Sequence, residues 1–322
     1  MSSLGSPHRA TTPCQPLVRP LAEIPYDPGM RARRRDSIYV HGTTRREQAR
    51  LGMMNTLIND RALGLMDIRP GEWIVDFGSG LGQITRAFAR AAGRSGRVVG
   101  IERSPDQLRT ARRRLRVEDG GARRAPARAP IDLRLGDALD PPLAPDEWGT
   151  FDTAHTRFLL EHLPRPVDLV RVMVRAVRPG GRVVLQDEDH DILRLFPEPE
   201  GMMEVWRAYI RSYERAGNDP SVGRRLVALL HEAGAVPRRC DWIFFGGCAG
   251  ESRFPTLVEN LARILEGAAA AIAATGLVSG RHVRAAVARF RAWSRRPDAA
   301  LWFAVAWVEG IRPGRGSGRG MD

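Results

Sequence analysis

Three short patterns in this 322-residue chain could do chemistry. The first is Asp76-Phe77-Gly78-Ser79-Gly80-Leu81-Gly82, which follows the apolar pair Ile74-Val75 and precedes Ile84, Ala87 and Phe88 at helical spacing. Glycine has no Cβ, so a strand–turn–helix of this kind folds tightly and brings backbone N–H groups close to a nucleotide. A dinucleotide fingerprint, G-x-G-x-x-G, would carry its third glycine one residue later, where Gln83 stands. The second pattern is a pair of carboxylates at strand ends. Glu102 closes Arg97–Glu102 about 20 residues beyond the glycines, where an acid can accept both ribose hydroxyls of a nucleoside. Asp137 follows the alternating segment Ile131–Leu135 in Gly136-Asp137-Ala138. The third is Gln186-Asp187-Glu188-Asp189-His190-Asp191, directly after Val183-Val184-Leu185. An imidazole titrates near neutrality and neighbouring carboxylates can orient it, so His190 is the candidate general base and Glu188 or Asp187 the next choice.

Each pattern has a plainer reading. The glycines could simply pack a helix on a sheet, Glu102 could belong to the helix start Ser104-Pro105-Asp106-Gln107, and Asp137 could form a turn. The acids around His190 could cap the next helix, pair with arginines, or chelate Mg²⁺ for a diphosphate-bearing acceptor.

The elements that must position these residues alternate strand and helix. Apolar strands are expected at Trp73–Phe77, Arg97–Glu102, Ile131–Leu135, Phe151–Arg157 and Arg182–Leu185, with a crossover helix through Leu169, Val170, Met173, Val174 and Val177. Residues 116–130 read as a Gly/Pro/Ala/Arg loop. After the fifth strand, helices are expected over Glu204–Arg215 and Arg224–Leu230. A sixth strand follows at Cys240–Phe245, then helices over Phe254–Ile272 and His282–Trp293, and a seventh strand at 299–308. Thr43 or Thr44 could cap an N-terminal helix carrying Leu51, Met54, Leu57 and Ile58 on one face.

Composition removes several classes. Cys14, Cys240 and Cys248 give neither a disulfide framework nor C-x-x-C zinc spacing, so no metal site is expected. No run approaches 18 apolar residues and the N-terminus lacks a secretory apolar core, so the chain reads as cytoplasmic with no membrane partner. Net charge is +13, but residues 1–35, 109–130 and 311–322 carry +4, +6 and +2 of it, leaving about +1 elsewhere. Charge confined to two arms and a loop argues against a nucleic-acid surface. Oligomeric state is open, a homo-oligomer included.

The acid two residues before G-x-G-x-G resembles motif I of the class I S-adenosylmethionine (SAM) methyltransferases. Gly136-Asp137-Ala138, Phe158-Leu159-Leu160-Glu161-His162-Leu163 and Arg178-Pro179-Gly180-Gly181 resemble later motifs of that superfamily, in its ubiquinone/menaquinone-type small-molecule branch. The resemblance covers residues 37–312 and is strongest through 71–188. It implies an α/β, seven-stranded Rossmann-like sheet with a helical lid, whose last strand is antiparallel between the fifth and sixth. It divides the chain into a flexible arm (1–36), a helical lid (37–70), a SAM-binding core (71–188), a helical acceptor-pocket insert (189–230), the remaining strands with two helices (231–312) and a disordered tail (313–322). The cofactor contacts it implies are Tyr39, Asp76, Gly78, Ser79, Gly80, Gly82, Glu102, Arg103, Gln107, Gly136, Asp137, Ala138, Thr156 and Arg157. Asp137 would meet the adenine amino group, while His155, Thr156 and Arg157 would lie at the methionine end. His162 is assigned to capping or packing, and Trp206, Tyr209, Ile210 and Tyr213 to an acceptor wall, although a stripe at this spacing is more often core. The implied activity is in-line methyl transfer to a small-molecule acceptor in bacterial specialised metabolism. An RNA or protein methyltransferase and a non-catalytic SAM-binding scaffold are the alternatives.

Overall fold

The computed structural model describes residues 58–120 and 128–314. Strands β1 (Trp73–Phe77), β2 (Arg97–Glu102), β3 (Ile131–Leu135), β4 (Phe151–Arg157) and β5 (Val177–Glu188) are parallel. With β6 (Arg194–Phe196), β7 (Val236–Cys248) and β8 (Ala300–Ile311) they form one sheet. Its order is β3-β2-β1-β4-β5-β8-β6, with β7 on the other edge of β8. β8 runs antiparallel between β5 and β7, pairing Leu185 with Val308 and Val308 with Cys240. The expected α/β sheet and the expected place of its last strand are both found.

Alternation along the strands builds two cores. Ile74, Val98, Val184, Val305 and Trp307 face one layer. It contains helix α1 (residues 58–66), α2 (Gln83–Ala92), α5 (Met202–Arg215), α7 (Phe254–Gly267), α8 (Ala269–Ala274) and α9 (Gly280–Trp293). Val75, Val99, Ala154, Val183, Leu185 and Ala306 face the other, against α4 (Pro166–Ala176) and α6 (Leu226–Glu232). Adjacent residues of one strand therefore enter opposite layers, as a pleat of period two requires. Helix α3 (Pro105–Gly120) closes over β2 and β3 through Leu108, Ala111 and Leu133.

Three expectations are corrected and one pair of alternatives is decided. The sheet has eight strands, because Leu195 lies buried in a short strand, β6, that pairs with the first residues of β8. Residues 116–120 continue α3 and do not begin the loop. The span 254–272 breaks at Gly267-Ala268 into α7 and α8, so three helices stand where two were expected. The stripe Trp206, Tyr209 and Tyr213 is core, each residue 2% exposed, since α5 turns its apolar face onto the sheet. The arm at 1–36, residues 37–57 of the lid, and tail residues 315–322 lie outside the described residues. Among those described, no helix is long and apolar enough to cross a membrane.

Two contacts hold the β1–β2–β3 end together. Gly100 leaves room for its neighbours: a Cβ there would stand 2.8 Å from Leu133 Cδ2 and 3.1 Å from Ser79 Cβ. Glu147 accepts two bonds from Arg134 of β3 and one from the Ala144 N–H, and pairs with Arg97 of β2. The Arg134 bonds hold its carboxyl down at about 2, against the opposing effect of burial.

Gly100→Ala should destabilise the fold by about 1–3 kcal/mol in denaturant unfolding, through overpacking against β3 and the glycine turn. Glu147 has a depressed folded-state pKa, so its contribution is present above the unfolded value and lost as pH falls toward about 2. Unfolding free energy should decline by about 1.4 kcal/mol per pH unit across that window, and the Glu147→Gln variant should lack this component.

Candidate functional site

The parallel strands β1, β2, β3 and β4 end on the same side of the sheet, and their loops enclose a cleft. It is lined by Asp76, Gly78, Ser79, Gly80, Glu102, Arg103, Gln107, Gly136, Asp137, Ala138 and Arg157 among others. Open α/β sheets bind ligands at this edge. Eleven of the fourteen implied cofactor contacts are thus brought together. Tyr39 lies outside the described residues, while Gly82 and Thr156 stand behind the cleft wall. Gly82 caps α2 in the left-handed region, and a Cβ there would touch Ala111 of α3, so it serves helix packing. Thr156 is fully buried and donates its hydroxyl hydrogen to the Phe77 carbonyl at 3.0 Å.

The glycine turn is bound to β2. Gly78 and Ser79 donate their N–H groups to the Ile101 carbonyl, each at 2.9 Å, and Gly80 N–H donates to Glu102 Oε2 at 2.8 Å. Gly78, Gly80 and Gly82 have φ of 77°, 54° and 69°, a region other residues occupy at a cost. Glu102 Oε1 accepts from Ser104 N–H at 2.7 Å. Each oxygen of that carboxylate thus holds one backbone bond and keeps capacity for a second. Burial pushes the Glu102 carboxyl up from its ordinary value, while the two N–H bonds act in the other direction. Ser79 Oγ is buried in the cleft wall without a hydrogen-bond partner among the described residues. Asp137 forms the turn of its plainer reading, accepting Leu139 N–H on Oδ1 at 2.9 Å, and still borders the cleft.

Asp76 reaches the cleft, but its carboxylate points into the protein. Thr85 donates to Oδ2 at 2.5 Å and His155 Nδ1 donates to Oδ1 at 2.8 Å. Gln186 donates to His155 Nε2 at 3.1 Å, which makes His155 a neutral imidazole, and burial lowers its pKa accordingly. His155 is therefore a support of the glycine turn and not a ligand at the methionine end.

His190 is corrected more sharply. It is fully buried, outside the cleft lining, and stacked on Tyr209 with its ring 5.4 Å away. Its Nε2 donates to Glu188 Oε2 at 2.9 Å and lies 3.4 Å from Glu161 Oε2. Burial opposes the charge, yet the bonds to Glu161 and Glu188 outweigh it and push the imidazole up to about 10. A histidine that already holds its proton at neutral pH is not a base. Its ring nitrogen and one carboxylate oxygen each of Glu161 and Glu188 lie within 4.8 Å of one another. Asp187 is not exposed either: its Oδ2 accepts Leu160 N–H at 2.8 Å and Glu161 N–H at 3.4 Å, and its Oδ1 accepts Glu188 N–H at 3.0 Å. Burial among carboxylates raises its pKa well above the usual range. Those bonds pin the turn 158–163, where Phe158 holds a positive φ of 54°.

The cleft residues that sequence reasoning missed are Leu81, Gln83, Ile84, Ile101 and Ser104, together with four that this turn supplies, Phe158, Leu159, His162 and Leu163. The phrase carrying them was legible, but which way each side chain points depends on the unusual φ of Phe158.

The "Methyltransferase domain" family model matches residues 75–185. Over 210 residues the chain is 30% identical to 27-O-demethylrifamycin SV methyltransferase of Amycolatopsis mediterranei, covering 62% of this chain and 67% of that protein. It is 31% identical to demethylmenaquinone methyltransferase of Desulfitobacterium hafniense over 46% of this chain and 58% of that one. It is 36% identical to an uncharacterized transposon protein of Streptomyces fradiae over 54% and 47%. The chain thus spans about half the length of these last two relatives. Among solved structures, the YcgJ protein of Bacillus subtilis shares the fold with a TM-score of 0.51 at 16% identity, covering 79% of this chain and 99% of that one. The glycine turn, the acids closing β2 and β3, and these matches together make the chain a member of the class I SAM-dependent methyltransferase superfamily.

Proposed function

We propose that the chain binds SAM in the cleft at the ends of β1–β4 and methylates a small-molecule acceptor. The supporting observation is the Glu102 carboxylate, which borders the cleft with one backbone bond on each oxygen and room for the two ribose hydroxyls. The cleft fits the donor in two further respects. Ser79 brings a buried hydroxyl to it that lacks a partner among the described residues, and the glycine turn keeps Cβ atoms out of the approach. Asp137 and the Ala138 backbone would receive adenine, and Arg103, Gln107 and Arg157 line the remainder. Arg157 donates to Asn59 Oδ1 at 3.0 Å and stacks over Phe158, so its guanidinium is positioned for a carboxylate.

When bound, the donor supplies an electrophilic methyl whose C–S electron pair leaves on the thioether as the acceptor attacks. The protein holds the two partners in line, which contributes several of the roughly 7–11 kcal/mol that ideal orientation can supply. The relatives named for demethylrifamycin SV and demethylmenaquinone support an acceptor of that size class and a role in bacterial specialised metabolism.

Calorimetry should show SAM and S-adenosylhomocysteine binding to the intact chain. Glu102→Ala and Asp137→Ala should each weaken both by about tenfold or more, equivalent to about 1.4 kcal/mol. Unchanged affinity in both variants would remove the cleft as the donor site.

A further inference from the structure

The chain contains two buried imidazoles beside the cluster that follows β5, and they differ in what they face. His190 is enclosed by Tyr209, Tyr213 and Trp206 and bonded to Glu188. His162 lies on the short turn Leu160–His162 and borders the cleft. Its Nε2 stands 3.4 Å from Glu161 Oε1, and the other oxygen of Glu161 stands 3.4 Å from His190 Nε2. The three groups thus form a sequence running inward from the cleft, imidazole to carboxylate to imidazole, continued to Glu188 at 2.9 Å. A nucleophile's proton is removed by this arrangement of a base with an orienting carboxylate behind it. The turn that carries it is fixed by Asp187, which accepts the N–H groups of Leu160 and Glu161.

We propose that His162, oriented by Glu161, is the proton acceptor for methyl transfer, and that the acceptor substrate presents an oxygen or nitrogen bearing a proton. This rests on the donor-binding reading above. As the heteroatom bonds to the methyl carbon, its O–H or N–H bond breaks and the proton passes to the His162 imidazole. The imidazolium so formed lies against the Glu161 carboxylate. No other co-reactant is needed. Burial keeps His162 neutral beforehand by lowering its pKa. Glu161 on the same turn and Glu188 at the end of β5 act against that, while His190 and Arg103 act with it. The Tyr213 ring of α5, 5.9 Å away, is the aromatic neighbour. His162 borders the cleft, whereas His190 is fully buried outside its lining, and this difference selects His162.

The test combines three readouts on wild type, His162→Gln and Glu161→Gln: SAM affinity by calorimetry, NMR titration of ¹⁵N-labelled histidine with S-adenosylhomocysteine bound, and methylation of 27-O-demethylrifamycin SV, which offers a hydroxyl. His162 should be neutral at pH 7 and titrate below its ordinary value, and Glu161→Gln should lower that value further. With a methylated probe, His162→Gln should cut turnover about 100-fold or more and abolish the acidic limb of the pH–rate profile, with SAM affinity within about threefold. Loss of SAM binding already in wild type defeats the donor reading. Normal SAM binding with His162 charged at pH 7, or a His162 pKa unmoved by Glu161→Gln, overturns the proton-acceptor assignment. The titration is first read on wild-type protein, so a charged His162 overturns the assignment even where a variant fails to fold or the probe is not methylated.

Discussion

The Glu102 carboxylate joins the two loops on which the candidate site depends. One oxygen accepts the Gly80 N–H from the turn after β1, and the other accepts the Ser104 N–H at the start of α3. Both loops leave the sheet at the same edge, and without a shared acceptor their buried N–H groups would have to be satisfied separately. The bond to Gly80 also explains why the glycine turn keeps its left-handed backbone. Its first two N–H groups are already committed to the Ile101 carbonyl, so the chain must turn sharply to bring the third to Glu102. One side chain at the end of β2 therefore shapes the cleft floor and borders the cleft.

Behind the floor lies a second polar layer, of which Asp76 borders the cleft. Thr85, Asp76, His155 and Gln186 connect α2, β1, β4 and β5 through three hydrogen bonds in a fully buried row. Buried polar groups are tolerable only when paired, and here pairing doubles as a register lock across four elements. Asp76 thus commits both carboxylate oxygens inside the protein, one to Thr85 and one to His155. The same logic governs the other side of the site. Asp187 caps the turn after β4, and its neighbours Glu161 and Glu188 share His190 between them. Aromatic rings of α5 close over that imidazolium and exclude water, so the helix that resembled a pocket wall is the lid of a charge cluster.

Much of the architecture was legible from local pattern. Period-two apolar runs, the glycine turn and the Ser104-Pro105 cap each follow from the steric and hydrogen-bonding demands of a few consecutive residues. Strands β1 to β4 accordingly lie where the pattern placed them. Short-range signals misled where two readings fit the same residues. The segment around Leu195 is too short for its alternation to stand out, and becomes a strand only because β8 offers an edge. Trp206, Tyr209 and Tyr213 satisfy a pocket stripe and a core stripe equally well, and the sheet they meet decides between them.

What the sequence alone determined is the family of sites: a nucleotide-type turn, an acid after β2, an acid after β3, and an acidic run with a histidine after β5. It also determined that these fall at one sheet edge, because parallel strands joined by helices must end together. What only the tertiary structure decided is the surroundings of each histidine. His155, His162 and His190 are alike on paper, and each stands near a strand end with acids in reach. The charge on an imidazole depends on burial and on partners brought from other strands. Asp76 and Gln186 hold His155 neutral, Glu161 and Glu188 hold His190 charged, and the turn pinned by Asp187 carries His162 to the cleft. Those partners are distant in the chain, so no local pattern encodes them.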